Sequence, residues 1–230
     1  MKLKFLTLLL AAGTLTAACS DDDDNTGPEG EARVRVVHAS PDAPDVDVLV
    51  DDAEVLGDVP YLTASDYLDV PAGNLNLMVN AAGTATTVVD ADLSLVDGTD
   101  YTVIATGLAE AIEPIVLQDD NSAPASGNAR VRAIHGAPGA PAVDIYVTAP
   151  GADLETTIPL LANVEFGDVA DYIEAPAGDY QVRVTPTGTK TVVIDSGTLT
   201  LSSGQVRTAI AVDAAGGGAP FDLLVLEDLN

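Results

Sequence analysis

An internal repeat is the sequence feature that most constrains how this chain can fold. Residues 32–44 (ARVRVVHASPDAP) return with few changes as residues 129–141 (ARVRAIHGAPGAP). A period of roughly 100 residues indicates tandem domains, because the repeats of solenoids are shorter. We therefore expect two domains of one fold, over 32–119 and 129–230, joined by a linker of Ser, Pro, Gly and Asn at 120–128.

Strand-forming residues in an alternating pattern dominate both copies. Val46, Val48 and Val50 alternate with Asp47, which is typical of a strand with one buried face. The same pattern predicts seven strands in the first copy, near residues 32–39, 45–51, 63–70, 74–80, 86–95, 100–107 and 114–118. It favours an all-β fold, with each copy an antiparallel β-sandwich of immunoglobulin-like or prealbumin-like type.

The first 18 residues have the features of a secretory signal peptide. Lys2 and Lys4 form a charged start, and an apolar run and small residues follow before Cys19. The run is too short for a membrane-spanning helix, which takes about 20 residues. The segment LTAAC resembles the lipobox of bacterial lipoproteins, although Thr16 stands where Leu is common. The resemblance implies that Cys19, the single cysteine, carries a diacylglycerol and anchors the protein in a membrane.

Four aspartates at 21–24 follow the cysteine, and Gly and Pro complete a flexible tether predicted over 19–31. Like charges in a row repel one another and form no core, so they are typical of a solvated spacer. The same residues resemble the surface-export signal of lipoproteins in some Gram-negative phyla. The sequence therefore predicts an envelope protein at the outer membrane and, under the second interpretation, on its external face.

The net charge excludes one class of partner. The chain carries 9 Lys and Arg against 36 Asp and Glu, a formal net charge of −27. Removal of the signal peptide with its two lysines leaves seven basic residues and a formal charge of −29. Such a surface repels nucleic acid, because binding to phosphates needs Lys and Arg. We therefore expect no nucleic-acid partner.

Three motifs together resemble a known family. They are the opening RVRVVHASPDAP, the Val-Asp-Val that follows it, and the Asp-Tyr…Pro-Ala-Gly turn at 66–73, which returns at 171–178. These motifs are similar to the envelope domains catalogued as domain of unknown function 4397, and the resemblance covers nearly the whole mature chain, twice. It implies a secreted or lipid-anchored bacterial protein with tandem domains, and it implies no activity.

His38 and His135 are the only histidines, and they occupy the same position in the two copies. Each lies on the apolar face of its strand, just before a Pro-rich loop. We favour an imidazole that hydrogen-bonds the loop backbone and fixes the turn. The alternative is a metal ligand or a general base at the mouth of the loop. A zinc site needs three or four ligands, and neither copy has a second His or a Cys.

Arg33 and Arg130 lie on the strand face opposite the histidines, and Asp47 and Asp144 lie on the polar face of the next strand. If the first two strands pair, an Arg–Asp contact across them is expected to contribute about 0.2–1 kcal/mol. The alternative is an arginine-lined site for an acidic ligand.

Calcium binding and catalysis have less support in the sequence. The Asp-rich turn at 97–100 offers the hard oxygen ligands that calcium prefers, but the second copy begins this turn with Ser203. No hydrolase, metalloprotease or nucleotide-binding motif is present, and Ser40, close to His38, is replaced by Ala137 in the repeat. We therefore predict no enzyme, no metal and no cofactor.

The sequence predicts a surface interaction module that binds a glycan, a protein or a wall component through loops or edge strands. The alternatives are a structural spacer with no specific ligand and a hydrolase with an unrecognised site. The chain has no Trp and six Tyr, which argues against glycan binding by aromatic stacking. We also expect each copy to fold by itself, because each has a full set of strands and the linker buries little.

The substitution Cys19→Ala tests the anchor. It removes the attachment point for acyl chains, so we expect the variant to leave the membrane fraction and to lose palmitate labelling. Fractionation and metabolic labelling measure the two effects against the wild type. A variant that stays with the membranes contradicts the lipobox interpretation.

Overall fold

A computed structural model of the protein describes residues 30–228. These residues form strands and two short 3₁₀ turns, and none of their helices is long and apolar enough to cross a membrane. The predicted signal peptide, Cys19 and nearly all of the tether lie outside the described residues.

Each copy contains nine strands. Those of the first copy are β1 (Glu31–Ala39), β2 (Val46–Val50), β3 (Ala53–Val59), β4 (Thr63–Ala64), β5 (Leu68–Pro71), β6 (Gly73–Ala81), β7 (Thr87–Leu95), β8 (Asp100–Thr106) and β9 (Glu113–Asp119). Those of the second copy are β10 (Asn128–His135), β11 (Val143–Thr148), β12 (Leu161–Val164), β13 (Ile173–Pro176), β14 (Gly178–Pro186), β15 (Ile194–Asp195), β16 (Leu199–Leu201), β17 (Val206–Val212) and β18 (Asp222–Glu227).

The strands of each copy form two sheets, which confirms the predicted β-sandwich. In the first copy the sheets have the orders β4-β1-β8-β9 and β3-β2-β6-β7, and β5 also pairs with β1. In the second copy the orders are β13-β10-β17-β18 and β12-β11-β14-β15, and β16 also pairs with β14. We call the sheets that contain β1 and β10 the central sheets, and the other two the outer sheets.

One strand pair in each central sheet is parallel, whereas the other pairs among the described strands are antiparallel. β1 runs parallel to β8, and β10 runs parallel to β17. The first strand of each copy therefore lies beside a strand from the end of the same copy. This long-range pairing makes each central sheet mixed.

Two details of the strand prediction are wrong. The strand β3 was not predicted, because it is an exposed edge strand whose apolar residues do not alternate regularly with polar ones. A tight turn leads into it, in which Asp51 and Asp52 adopt positive φ of 47° and 66°. The single strand predicted at 63–70 is two strands, because the backbone turns between them. At this turn the amide of Ser65 donates to the carbonyl oxygen of Val36, and the amide of Val36 donates to the hydroxyl of Ser65.

Each central sheet has one face that is turned away from the outer sheet of its own copy, and we call this its outer face. The outer faces of the two central sheets are apolar and pack against each other. A buried cluster contains Val37 and Ile104 from the first copy together with Ile134 and Ile210 from the second. Val37 and Ile134 occupy equivalent positions, as do Ile104 and Ile210, so the two copies contribute the same surface to the contact. The four sheets consequently form four packed layers, with the two central sheets in the middle.

A buried polar network, which we call the arginine clasp, flanks this cluster. It consists of Arg35, Thr102 and Asp119 from the first copy and Arg132, Thr208 and Asp228 from the second. The Nη2 atom of Arg35 donates to Asp228 at 2.6 Å, and Nη2 of Arg132 donates to Asp119 at 2.6 Å.

Each arginine of the clasp is also held by its own copy. Arg35 donates to the hydroxyl of Thr102 at 2.9 Å and lies 4.7 Å from the ring centre of Tyr67. Arg132 makes the equivalent contacts with Thr208 and Tyr172, at 3.0 Å and 4.7 Å. The two halves of the clasp are thus related by an approximate twofold axis, as in a symmetric dimer.

The contact between the copies changes the expectation that each copy folds by itself. The linker is largely exposed, as expected, but the outer face of each central sheet is apolar and is covered by the other copy. A separated copy would expose this face together with an arginine and an aspartate that have lost their partners. We now expect the copies to stabilise each other.

The substitution Arg35→Ala tests the clasp. It leaves the carboxylate of Asp228 buried without its ion partner, so we expect the free energy of unfolding to fall by about 3–5 kcal/mol. Chemical denaturation of the full chain measures the loss. The control is Arg130→Ala, which removes an arginine whose carboxylate partner, Asp120, has a side chain that is 55% exposed. Its expected loss is about 1 kcal/mol or less. Equal small losses in both variants would mean that the clasp contributes little.

Candidate functional site

The histidines are buried at the ends of β1 and β10. The ring of His38 is fully buried, and Nε2 lies 3.0 Å from the carbonyl oxygen of Pro44, while Nδ1 accepts from the amide of Ser40 at 3.4 Å. A carbonyl only accepts, so the proton of the neutral ring resides on Nε2. Burial lowers the pKa of His38 below its ordinary value.

The second copy repeats this arrangement. Nε2 of His135 lies 3.1 Å from the carbonyl oxygen of Pro141, and the amide of Ala137 donates to Nδ1 at 3.4 Å. The ring is 1% exposed, and Phe166 packs edge-on against it as Tyr61 does in the first copy. Both ring nitrogens are engaged by backbone, which is the arrangement of a brace for the Pro-rich loop.

Asp47 and Asp144 anchor turns. The carboxylate of Asp47 accepts from the amides of Asp58 and Gly83, and these hydrogen bonds lower its pKa. The carboxylate of Asp144 likewise accepts from two turn amides, at 2.9 Å each. Burial alone would raise the pKa of Asp144, but these amides, together with the Thr187 side chain and the charge of Lys190, leave the pKa below its usual value.

The Arg–Asp contact predicted between the first two strands is wrong. The strands β1 and β2 belong to different sheets, so Arg33 and Asp47 are not neighbours. Arg33 instead binds Asp100 on β8 through two hydrogen bonds of 2.7 Å. In the second copy Arg130 pairs with Asp120 of the linker, at 2.7 Å.

Two of the alternatives left open by the sequence can be compared with the structure. A groove of about 610 Å³ beside Tyr67 is lined by Arg33 and Arg35, but both guanidinium groups already bind carboxylates. An acidic ligand therefore finds no uncommitted arginine in this groove. Within residues 30–228, no group of three or more His, Cys, Asp or Glu side chains has the arrangement of a metal site.

An apolar cleft lies inside the second sandwich. Its volume is about 460 Å³, within the range of roughly 300–1,000 Å³ typical of small-molecule sites. The seventeen lining residues come from β10, β13, β17 and β18 on one side, and from β11, β12, β14, β16 and Leu160 on the other. Val147, Leu160 and Val225 are 37%, 50% and 41% exposed, so the cleft is open to solvent.

The cleft exists because the second copy has smaller residues on the inner face of its central sheet. Val36 pairs with Val103 in the first copy, and the equivalent pair in the second copy is Ala133 with Ala209. Both valines are fully buried, whereas both alanines are partly exposed.

A third position shows the same change. Val70, which pairs with Ala32 and is 5% exposed, is replaced by Ala175, which pairs with Ala129. The consequence is visible in the size of the two cores. Sixteen buried residues form the core of the first sandwich, and five form that of the second.

One of the strands beside the cleft is interrupted. In the first copy β7 runs unbroken beside β6, whereas the equivalent strand in the second copy is divided into β15 and β16. On β14, Arg183 comes three residues after Tyr180, whereas their partners Asp195 and Leu199 are four residues apart. The segment between β15 and β16 therefore contains one extra residue, which forms a β-bulge. Gly197 supplies the left-handed turn at this bulge, with φ of 61°.

The motifs that the two copies share do not indicate the cleft, because its signal lies in the positions where the copies differ. Three valines of the first copy become alanines at inward-facing positions, and this is detectable by comparing apolar volumes between aligned strands. The second copy is offset from the first by 97 residues at β1 and by 106 residues at β8. Both offsets are needed to align these positions correctly.

Comparison with known protein families gives one match. A family model described as "Domain of unknown function (DUF4397)" matches residues 6–49, 32–146 and 148–230. No curated protein matches the chain. Among solved structures, an α-glucan-binding streptococcal virulence factor is 13% identical, with 78% of this chain and 92% of the other covered and a TM-score of 0.26.

A second solved structure has a similar score. It is a family 26 carbohydrate-binding module of Amy13K from Eubacterium rectale, in complex with maltoheptaose. It is 10% identical, with 87% of this chain and 98% of the other covered, and the TM-score is 0.26. TM-scores at this level do not indicate a shared overall fold.

The variants His38→Ala and His38→Gln test the loop brace. Alanine leaves the carbonyl of Pro44 without its donor, and we expect a loss of about 1–3 kcal/mol in the free energy of unfolding. Glutamine keeps a donor and should lose less. Urea denaturation with and without added zinc measures these effects. We expect zinc to leave the urea midpoint of the wild type unchanged, so a zinc-dependent rise that is lost in His38→Ala would contradict the brace.

The stability of the brace also depends on pH. Folding lowers the pKa of His38 from its ordinary value of about 6.5. Near and below this pH, the histidine therefore binds a proton more readily in the unfolded chain than in the folded protein. The wild type should therefore lose stability as the pH falls from about 6.5, and His38→Gln should lose less over the same range. Denaturation curves at about pH 8 and pH 5.5 measure the difference.

Proposed function

The chain belongs to the family described as domain of unknown function 4397, and we propose that this member is a lipid-anchored envelope protein that binds a small apolar molecule in its second sandwich. The first sandwich and the arginine clasp serve as the support. One observation carries the proposal, the open apolar cleft that the second copy has in place of a packed core.

An unfilled apolar core is unfavourable unless something else occupies it. Burial of apolar surface contributes about 25 cal/mol per Å², and an unfilled cavity forfeits this gain along with its van der Waals contacts. The first copy shows that the same fold can close this space with three valines. The second copy keeps three alanines there, and a bound ligand would recover the missing contacts.

The chemistry of the lining supports an apolar ligand over a glycan. The inward-facing side chains of the cleft are mostly aliphatic, such as Ile145, Val182 and Leu199. Sugar rings need several hydrogen-bonding groups and an aromatic face, and the lining contains a single aromatic residue, Tyr180. The Tyr180 hydroxyl already donates to the carbonyl of Pro176, at 2.7 Å.

We propose a binding protein and not an enzyme. A general base needs a nitrogen or oxygen that can reach a substrate proton. The two histidines are buried, and the backbone engages both nitrogens of each ring. Ser40, the hydroxyl nearest in sequence to His38, donates instead to the carbonyl of Gly107 at 2.7 Å.

The proposed location is the outer membrane, through acyl chains on Cys19 and the acidic tether. This placement rests on the signal peptide and the lipobox-like segment. A structural spacer is the second candidate function, and the closed core of the first copy favours it for that copy.

Filling the cleft tests the proposal. The triple variant Ala133→Val, Ala175→Val and Ala209→Val restores the residues of the first copy and reduces the space for a ligand. With Nile red, a neutral dye that fluoresces in apolar sites, we expect binding by the wild-type chain and at least tenfold weaker binding by the variant. The variant should also gain about 0.5–2 kcal/mol in stability, because a cavity is filled. Dye titration and urea denaturation measure the two effects.

A matched control lies in the same sandwich. Ala162 follows Leu161 on β12 and is exposed on the opposite side of the strand. Ala162→Val should bind the dye as the wild type does. If the wild type fails to bind the dye, or if the triple variant binds it equally well, the cleft is not a ligand site and the spacer becomes the better function.

A further inference from the structure

The cleft contains one charged side chain among its seventeen lining residues, and that residue is Arg207. It pairs in register with Val131 on β10, at the position where the first copy pairs Tyr101 with Val34. The hydroxyl of Tyr101 accepts from the amide of Val96 and so completes the first core. The second copy thus has a guanidinium group where the first copy has a closed, self-satisfied contact.

The present partner of Arg207 is poorly buried. The side chain of Arg207 is 18% exposed and contacts the carboxylate of Glu227, whose side chain is 81% exposed. The guanidinium group of Arg207 lies beside apolar surface and needs a charged partner. The carboxylate of Glu227 is mostly in water, so its ion pair with Arg207 contributes little free energy. An external carboxylate can therefore replace Glu227 on Arg207 at little loss.

We propose that the ligand of the cleft is a single-chain amphipathic carboxylate, with its alkyl chain between the sheets and its head group on Arg207. This inference rests on the proposed function and adds the ligand class to it. The apolar lining fits the chain, and the single guanidinium matches a single negative charge. The formal net charge of −27 disfavours ligands that carry several negative charges, because the whole surface repels them.

The test compares dodecanoate with 1-dodecanol, which has the same chain and no charge, by displacement of Nile red from the full-length protein. We expect dodecanoate to bind the wild type at least tenfold more tightly than dodecanol at neutral pH. In Arg207→Gln, which keeps a polar side chain and removes the charge, this preference should disappear while dodecanol still binds. Arg207→Leu provides the same measurement if the glutamine variant fails to fold.

A second variant changes the affinity in the opposite direction. Glu227→Gln removes the carboxylate that competes for Arg207, so we expect dodecanoate to bind this variant several-fold more tightly than it binds the wild type. Dodecanol should bind both proteins equally. This gain separates a direct role of Arg207 in binding the head group from a general effect of substitutions on the fold.

The outcomes distinguish the two proposals. If dodecanoate and dodecanol bind the wild type equally and the Arg207 variants change neither, the carboxylate assignment is wrong and the apolar ligand site stands. If neither compound displaces the dye and the dye itself does not bind, the proposed function is wrong as well.

Discussion

Each central sheet places an arginine, Arg35 or Arg132, where almost no water reaches its guanidinium group. The two side chains are 4% exposed, and the aspartates that bind them from the opposite copy are fully buried. An unpaired buried charge is far more costly than a paired one, so the two copies are held in the one register that satisfies both arginines. The apolar cluster supplies buried apolar contacts between the copies, and the clasp determines how the two surfaces fit together.

Much of the fold followed from the sequence because alternation and repeats are local signals. The period-two pattern of β1 correctly placed Val34 and Val36 on one face, in the core of the first sandwich. The sheet to which each strand belongs did not follow, because pairing across 67 residues, as between Arg33 and Asp100, leaves no local pattern. For this reason the predicted contact between Arg33 and Asp47 is wrong.

The candidate residues and the candidate site turned out to be different parts of the molecule. Residues shared by both copies, such as His38 and His135, maintain loops and contacts that both sandwiches need. A binding site formed in only one copy has to use residues that the other copy lacks, such as Ala209 and Arg207. A search for shared motifs therefore finds the scaffold, and a search for differences at inward-facing positions finds the cleft.

The duplication explains how an open core can persist. Replacing a buried valine by alanine removes about 0.8 kcal/mol of burial for each lost methyl-sized group, and the cavity adds a further penalty. A sandwich with only five buried core residues would be marginal by itself. The first copy, with its closed core, shares the buried cluster and both ion pairs of the clasp with the second. Stability supplied through this interface offsets the loss inside the second sandwich, and it lets the inner face of β17 change without unfolding the protein.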